Sequence, residues 1–85
     1  VNFDSIIAIA QRRYAMRAKM FTHADGTKVW WLDGRRHRTD GPAIEYTSGH
    51  NEWCIDGHTY TFDEWLEVNS NLTHEQKVIM KLQYG

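Results

Sequence analysis

Four glycine-bearing bends, Asp25-Gly26, Asp33-Gly34, Ser48-Gly49 and Asp56-Gly57, stand as two pairs offset by 23 residues. Asp-Gly accepts positive φ at both central positions, as the type I′ turn of a two-residue hairpin requires. Short strands joined by such turns run antiparallel, so these bends commit the middle of the chain to hairpins. The flanking residues repeat at the same interval: Trp30-Trp31-Leu32-Asp33-Gly34 is answered by Trp53-Cys54-Ile55-Asp56-Gly57. The chain thus holds one and a half copies of a hairpin repeat, and hairpin repeats build binding surfaces more readily than clefts for chemistry.

Between the bends lie Thr27–Leu32, Arg35–Arg38, Ala43–Thr47, Asn51–Ile55 and His58–Tyr60, short segments rich in Trp, Val, Ile, Tyr and Thr. They predict an antiparallel β-meander of four or five strands over 22–60. Asp40-Gly41-Pro42 breaks it in the middle, since Pro42 has no N–H to give a ladder and belongs at a turn or a strand start.

Helical patterns flank this region. Phe3, Ile7, Ala10, Tyr14 and Phe21 keep the spacing of one buried stripe, widened by Ile6 and Met20, which predicts an N-terminal helix from about Asp4 to Met20 within a segment 4–21. Asp4 or Ser5 can cap it. After the hairpins, Thr61-Phe62-Asp63-Glu64 and Thr73-His74-Glu75-Gln76 are two capping boxes, in each of which a Thr hydroxyl and a Glu or Gln three residues on satisfy each other's free N–H groups. Tyr60 and Trp65 can staple the first. The second opens a helix to about Gln83 with Val78, Ile79 and Leu82 on one face. The expected fold class is α+β: an N-terminal helix, the meander and two short C-terminal helices (61–84), in a single domain spanning 1–85. Helices on one side would cover the face that the sheet must bury.

A domain of 85 residues has a small core, but four Trp, four Tyr and three Phe supply much apolar area for it. One Cys and no partner for it fit a reducing, cytoplasmic setting. No apolar run approaches the roughly 20 residues needed to span a bilayer. The start, Val1-Asn2-Phe3-Asp4, has no signal-peptide pattern. It also lacks an initiator Met, as expected of a chain that is processed, trimmed or started elsewhere. Charge is uneven: residues 1–38 hold eight Lys/Arg and three Asp/Glu, a net +5, and residues 39–85 hold two Lys and eight Asp/Glu, a net −6. Either a basic face meets an acidic partner, or the two halves lie together and neutralise each other.

The run Trp31-Leu32-Asp33-Gly34-Arg35-Arg36-His37-Arg38-Thr39-Asp40-Gly41-Pro42-Ala43 resembles a repeat of small proteins from tailed bacteriophages and some bacterial relatives. The shared pattern is an aromatic, Leu, Asn/Asp-Gly, a basic pair, His-Arg, any residue, and Asp-Gly-Pro-Ala. A period of about 23 residues is also similar to the MORN repeat. The ending Thr61-Phe62-Asp63-Glu64-Trp65-Leu66 with Leu72-Thr73-His74-Glu75-Gln76-Lys77 resembles the usual cap of those proteins. The chain departs from the pattern in its second copy, where Tyr60 and Thr61 replace His37 and Arg38 and a helix start replaces the Gly-Pro-Ala step. The resemblance implies a bacteriophage accessory protein acting on a host component, with the scaffold role usual for MORN-like repeats.

Arg35-Arg36-His37-Arg38 is the densest basic cluster. On one strand, Arg36 and Arg38 would share a face and Arg35 and His37 the other. Recurrence of the motif within multi-copy relatives makes His37, Arg38, Asp40, Gly41 and Pro42 a structural motif, with Asp40 accepting from Arg38 or from backbone N–H groups. Arg35 and Arg36 remain for a partner, with Arg12, Arg13 and Arg17 from the N-terminal segment. Trp30 and Trp31 point to opposite faces. At least one is expected in the core, and the other is a candidate anchor, since exposed Trp and Arg dominate interface energetics. The five His, at 23, 37, 50, 58 and 74, lack the close pairing of metal motifs. His50, His58 and Cys54 could meet only across hairpins. Cys54–His58 and His37–Asp40 can be drawn as dyads, but no nucleophile or phosphate-loop motif accompanies them. No cofactor is expected.

The expectation is therefore a non-enzymatic protein that binds a host bacterial protein with an acidic surface, in the host cytoplasm, and modulates or inhibits it, as in host takeover or anti-defence. The alternative is nucleic-acid or nucleotide binding through the basic half and the Arg35–Arg38 strand, with affinity falling steeply as salt rises.

Overall fold

The computed structural model describes residues 17–85. Six antiparallel strands, β1 (Lys19–Thr22), β2 (Lys28–Leu32), β3 (Arg35–Arg36), β4 (Ile44–Glu45), β5 (Asn51–Ile55) and β6 (His58–Tyr60), precede two helices, α1 (Phe62–Val68) and α2 (His74–Tyr84). The strand order is β1-β2-β4-β5-β6, with β3 beside β2.

This corrects the expected fold at three points. The segment read as the end of an N-terminal helix is a strand: Lys19 faces Trp31 and Phe21 faces Val29, so the sheet begins at Lys19. Met20 and Phe21 satisfy a helical stripe and a strand equally well, and pairing with β2 decides between them. The remainder of the expected helix, from Asp4 to Met16, lies outside the described residues. The strands number six rather than four or five. Finally, they do not form a simple meander, because β2 carries two partners on one edge. Trp31 faces Arg36, and in that register Val29 would face Arg38; it faces Ile44, six residues further on. Residues 37–43 are looped out of what is otherwise one long strand, as a wide bulge.

The turns obey the 23-residue period in atomic detail. Asp33 and Asp56 have φ of 50° and 51°, and Gly34 and Gly57 have 74° and 83°, the double positive φ of a type I′ turn. The other pair differs from expectation. Only the glycines of Asp25-Gly26 and Ser48-Gly49 have positive φ. Gly26 donates to the His23 carbonyl and His23 to the Thr27 carbonyl; Gly49 and Tyr46 repeat both bonds 23 residues later. These are longer loops closed by a left-handed glycine. In the first, the Asp25 carboxylate accepts from the Thr27 N–H at 2.9 Å and from its hydroxyl at 3.1 Å, which holds the Asp25 pKa below its usual value.

Both capping boxes are formed. Thr61 accepts from the Glu64 N–H while Glu64 accepts from the Thr61 N–H; Thr73 and Gln76 do the same. The helices pack on one face of the sheet. Trp53, Trp65, Leu66 and Met80 form the buried cluster, with Ile55, Tyr60, Phe62, Leu72 and Tyr84 against it. The Trp53 ring lies 4.7 Å from those of Phe62 and Trp65 and meets Tyr84 edge-on at 5.0 Å. Such tilted and edge-to-face pairs contribute about 0.5–1.5 kcal/mol each beyond their buried area. Neither Trp30 nor Trp31 belongs to this core; both are half-buried. The core tryptophans are Trp53 on β5 and Trp65 on α1, where that helix packs against β5 and β6.

Candidate functional site

The basic cluster splits at the bulge. The Trp30 carbonyl accepts from His37 N–H at 3.0 Å, and Trp30 N–H donates to the Ala43 carbonyl at 2.8 Å, so one residue of β2 closes both ends of the loop. Inside it, the Arg38 guanidinium stacks 3.8 Å from the centre of the Trp30 ring. It also donates to the Asp40 carboxylate at 2.9 Å and to the Pro42 carbonyl at 3.1 Å. Gly41 lies against that fork: a Cβ there would stand 2.6 Å from the guanidinium carbon. Helix α1 pins the loop from below. The Trp65 indole N–H donates to the Arg38 carbonyl, and the buried Asn69 amide donates to the Thr39 carbonyl at 2.7 Å.

His37 spans to the second repeat. Its Nδ1 accepts from the Asp56 N–H at 2.9 Å. The Asp56 carboxylate also approaches Nδ1, at 3.4 Å. A ring nitrogen that accepts a backbone proton has none to donate, so the shorter bond defines the contact. His37, Arg38, Asp40, Gly41 and Pro42 all lie within this bulge, and Trp30 is its stacking platform.

Consequently Arg36 and Arg38 do not share a face. Arg36 sits across from Trp31 in the β2–β3 pair, whereas Arg38 turns to Trp30 on the helix-bearing side. Alternation along one strand would have put them together; the bulge beginning at His37 breaks it. The face away from the helices collects Phe21, Val29, Trp31, Arg36, Ile44 and, from β5, Glu52 and Cys54, as the register requires. An open concavity of about 630 Å³ lies here, with Val29 and Ile44 as its floor and Trp31, Tyr46, Arg36, His23 and Thr27 around it. Phe21, His23 and Trp31 line an adjoining one. Phe21 is 58% exposed. Tyr46 donates to Glu52 at 3.1 Å, and that hydrogen bond raises the phenol above its usual pKa, so it remains a donor. Arg36 approaches the other Glu52 oxygen at 3.9 Å, the outer limit of an ion pair.

The remaining candidates fall elsewhere. Arg35 is exposed and runs its aliphatic stem past Gly57. Arg17 is exposed just before β1. Arg12 and Arg13 lie outside the described residues. Cys54 is buried, paired across the ladder with Thr59, while His58 pairs with Ile55 and so points to the opposite face. Cys54 and His58 therefore do not meet, and Asp40 is bound to Arg38 rather than to His37. Among the described residues, no group of three or more His, Cys, Asp and Glu side chains is placed to hold a metal ion. No helix among them is long and apolar enough to cross a membrane.

Sequence reasoning missed Lys19, Phe21, His23 and Tyr46 as neighbours of Trp31, and missed Asn69 altogether. The 23-residue offset was the available signal for Tyr46, which repeats His23. Nothing local marks Asn69, whose partner lies 30 residues away.

Among the described residues, the fold is an antiparallel sheet roofed by helices on one face and uncovered, aromatic and partly basic on the other. Compared with protein-family models, with curated proteins and with solved structures, the chain finds no match in any of the three.

Proposed function

We propose that this chain is a non-enzymatic binding protein of the bacteriophage accessory type, which modulates or inhibits a host protein by covering part of its surface. The observation that carries the reading is the sheet face left uncovered among the described residues. Trp31 and Arg36 stand side by side across β2 and β3, beside exposed Phe21 and above an apolar floor. Aromatic and Arg side chains at the rim of an apolar depression are the usual anchors of protein interfaces. The three Arg–carboxylate pairs of the described residues, Arg36–Glu52, Arg38–Asp40 and Arg38–Glu45, each join the basic half of the sequence to the acidic half. Two of the eight basic residues of the first half, Arg36 and Arg38, thereby pair with carboxylates of the second. Lys19 and Arg17 remain exposed beside Trp31 and favour a partner carrying acidic groups at that edge.

The test is capture from nuclease-treated bacterial lysate on the immobilised chain, with Phe21→Ser and Trp31→Ala variants in parallel. One stoichiometric protein, retained by the wild type and lost by both variants while their circular dichroism is unchanged, is the expected result. Capture that survives both variants, or no stoichiometric protein at all, overturns the proposal. Material that is lost only on nuclease treatment points to nucleic acid instead.

A further inference from the structure

Asp precedes Gly four times in this chain, at 25–26, 33–34, 40–41 and 56–57. In such a pair the glycine nitrogen can attack the aspartyl side chain, because glycine has no Cβ to hinder the approach. The attack needs a free carboxyl, a free glycine N–H and a peptide able to turn between them. The fold restrains three of the four pairs. The Asp25 carboxylate accepts from the Thr27 N–H and hydroxyl, and the Gly26 N–H donates to the His23 carbonyl at 2.9 Å. The Asp40 carboxylate accepts from Arg38 Nε at 2.9 Å, with Gly41 packed against the same guanidinium. The Gly57 N–H donates to the Arg36 carbonyl at 2.9 Å, and the Asp56 N–H to His37 Nδ1 at 2.9 Å. Asp33-Gly34 differs. It adopts the same turn as Asp56-Gly57, with φ of 50° and 74° against 51° and 83°, so backbone shape does not separate the two. What separates them is restraint. Asp33 and Gly34 are both exposed, and a Cβ on Gly34 would meet nothing within 4 Å. Among the described residues, neither the Asp33 carboxylate nor the Gly34 N–H has a hydrogen-bond partner.

We propose that Asp33-Gly34 is a site of spontaneous isoaspartate formation in the folded protein, and that the fold protects the other three Asp-Gly pairs. The Gly34 nitrogen gives up its proton and bonds to Asp33 Cγ. The protonated carboxyl gives up its hydroxyl, which leaves with that proton as water, and a five-membered succinimide remains. Water then adds to one of the two ring carbonyls and breaks that carbonyl's bond to nitrogen. Opening at Cγ restores aspartate. Opening at the main-chain carbonyl leaves the chain running through Cβ and Cγ, one methylene longer, with no net change in mass. Water is the only co-reactant. The extra methylene enters a loop of two residues, and loop length sets the register of the strands it joins. Trp31 faces Arg36 and Leu32 faces Arg35 in the register of the unmodified turn. Isomerisation therefore loosens the β2–β3 hairpin and separates Trp31 from Arg36. Its effect on partner binding rests on the function proposed above; the modification itself does not.

The test is a peptide map of the full chain, kept warm in neutral buffer for several weeks, sampled at intervals and digested with trypsin. Cleavage after Lys28 and Arg35 isolates Asp33-Gly34 in residues 29–35. Asp25-Gly26 falls in 20–28 and the other two pairs in 39–77, where fragmentation in the mass spectrometer tells them apart. The expected result is a second form of 29–35, equal in mass and separate in chromatography, with a minor species lighter by one water. It should build up severalfold faster than at any other pair, because opening the others first breaks hydrogen bonds. A parallel sample unfolded in guanidinium chloride should lose this order, with all four pairs reacting at similar rates. Amide hydrogen exchange in the purified isomer is expected to quicken over 29–36 and to stay unchanged in β5 and both helices. An Asp33 that reacts no faster than Asp56 in the folded chain overturns the proposal. So does the same order in the unfolded chain, which would assign it to neighbouring residues and not to the fold. Unchanged exchange in the isomer overturns the effect on register. The map and the exchange need no partner, so they stand or fall apart from the capture experiment.

Discussion

The indole N–H of Trp65 donates to the main-chain carbonyl of Arg38 at 3.1 Å, joining a helix to a bulge 27 positions earlier in the chain. Four residues on, Asn69 does the same for the next carbonyl, that of Thr39. Both side chains are fully buried, so each donor depends on its carbonyl for a partner. Trp65→Phe keeps most of the ring and strands one acceptor. It is expected to lower the unfolding free energy by about 2 kcal/mol in urea titrations. Asn69→Ala should cost a similar amount. The two donors hold one loop, so the double variant is expected to cost less than the sum.

Arg38 is held by stacking and by geometry, not by charge alone. Its fork reaches Asp40 and Pro42 while its plane lies on Trp30. Arg38→Lys keeps the charge but not the two-directional fork or the planar stack. A loss of about 1–2 kcal/mol is expected by chemical denaturation. A double-mutant cycle between Arg38→Ala and Trp30→Ala should return a coupling of about 1 kcal/mol; a coupling near zero would mean that the stack contributes nothing.

The type I′ turns make a sharper demand than their loops suggest. Asp33 and Asp56 both sit at positive φ, a region open to Asn and Asp but costly for branched side chains. Asp33→Asn is expected to leave the melting temperature unchanged. Asp33→Val should lower stability by about 1–2 kcal/mol, and Asp56→Val should act likewise, because the second copy repeats the conformation.

Two carboxylates link stability to acid. Hydrogen bonds from the Thr61 backbone and hydroxyl hold Glu64 below its ordinary 4.5, and those from Thr27 hold Asp25 below its ordinary 3.8. A carboxylate with a lowered folded pKa lends stability above its unfolded pKa and loses it as pH falls through the folded one. Glu64→Gln can still complete the capping box but does not titrate. The stability difference between wild type and Glu64→Gln is therefore expected to stay constant above about pH 5 and to move in favour of the variant below 4.5. Melting curves across that range measure it. Asp25→Asn should show the same crossover at lower pH.

Features confined to a few neighbouring residues could be read directly from the sequence. Two of the four Asp-Gly pairs, at 33–34 and 56–57, form the type I′ turns that the dipeptide favours, and each capping box closes within three residues, so their chemistry is complete in a short window. Pro42 announced a break in the strand, but not its size. The register skips six residues there because Arg38 finds Trp30 and Trp65 and Thr39 finds Asn69, partners that no local pattern specifies. Met20 and Phe21 were ambiguous for a related reason: a four-residue apolar segment suits a helix or a strand equally, and β2 supplied the ladder.

Sequence by itself determined where this chain bends, where α1 and α2 start and that a 23-residue unit recurs, because dihedral preferences and short-range hydrogen bonds act within one turn. Only the tertiary structure decided the fates of the repeated tryptophans. Trp53 meets Phe62, Trp65 and Tyr84 and becomes core, while its counterpart Trp30 meets Arg38 and becomes the platform of a bulge. Equivalent places in a repeat carry the same backbone, but burial depends on what the rest of the chain lays over them, and helices follow only the second copy.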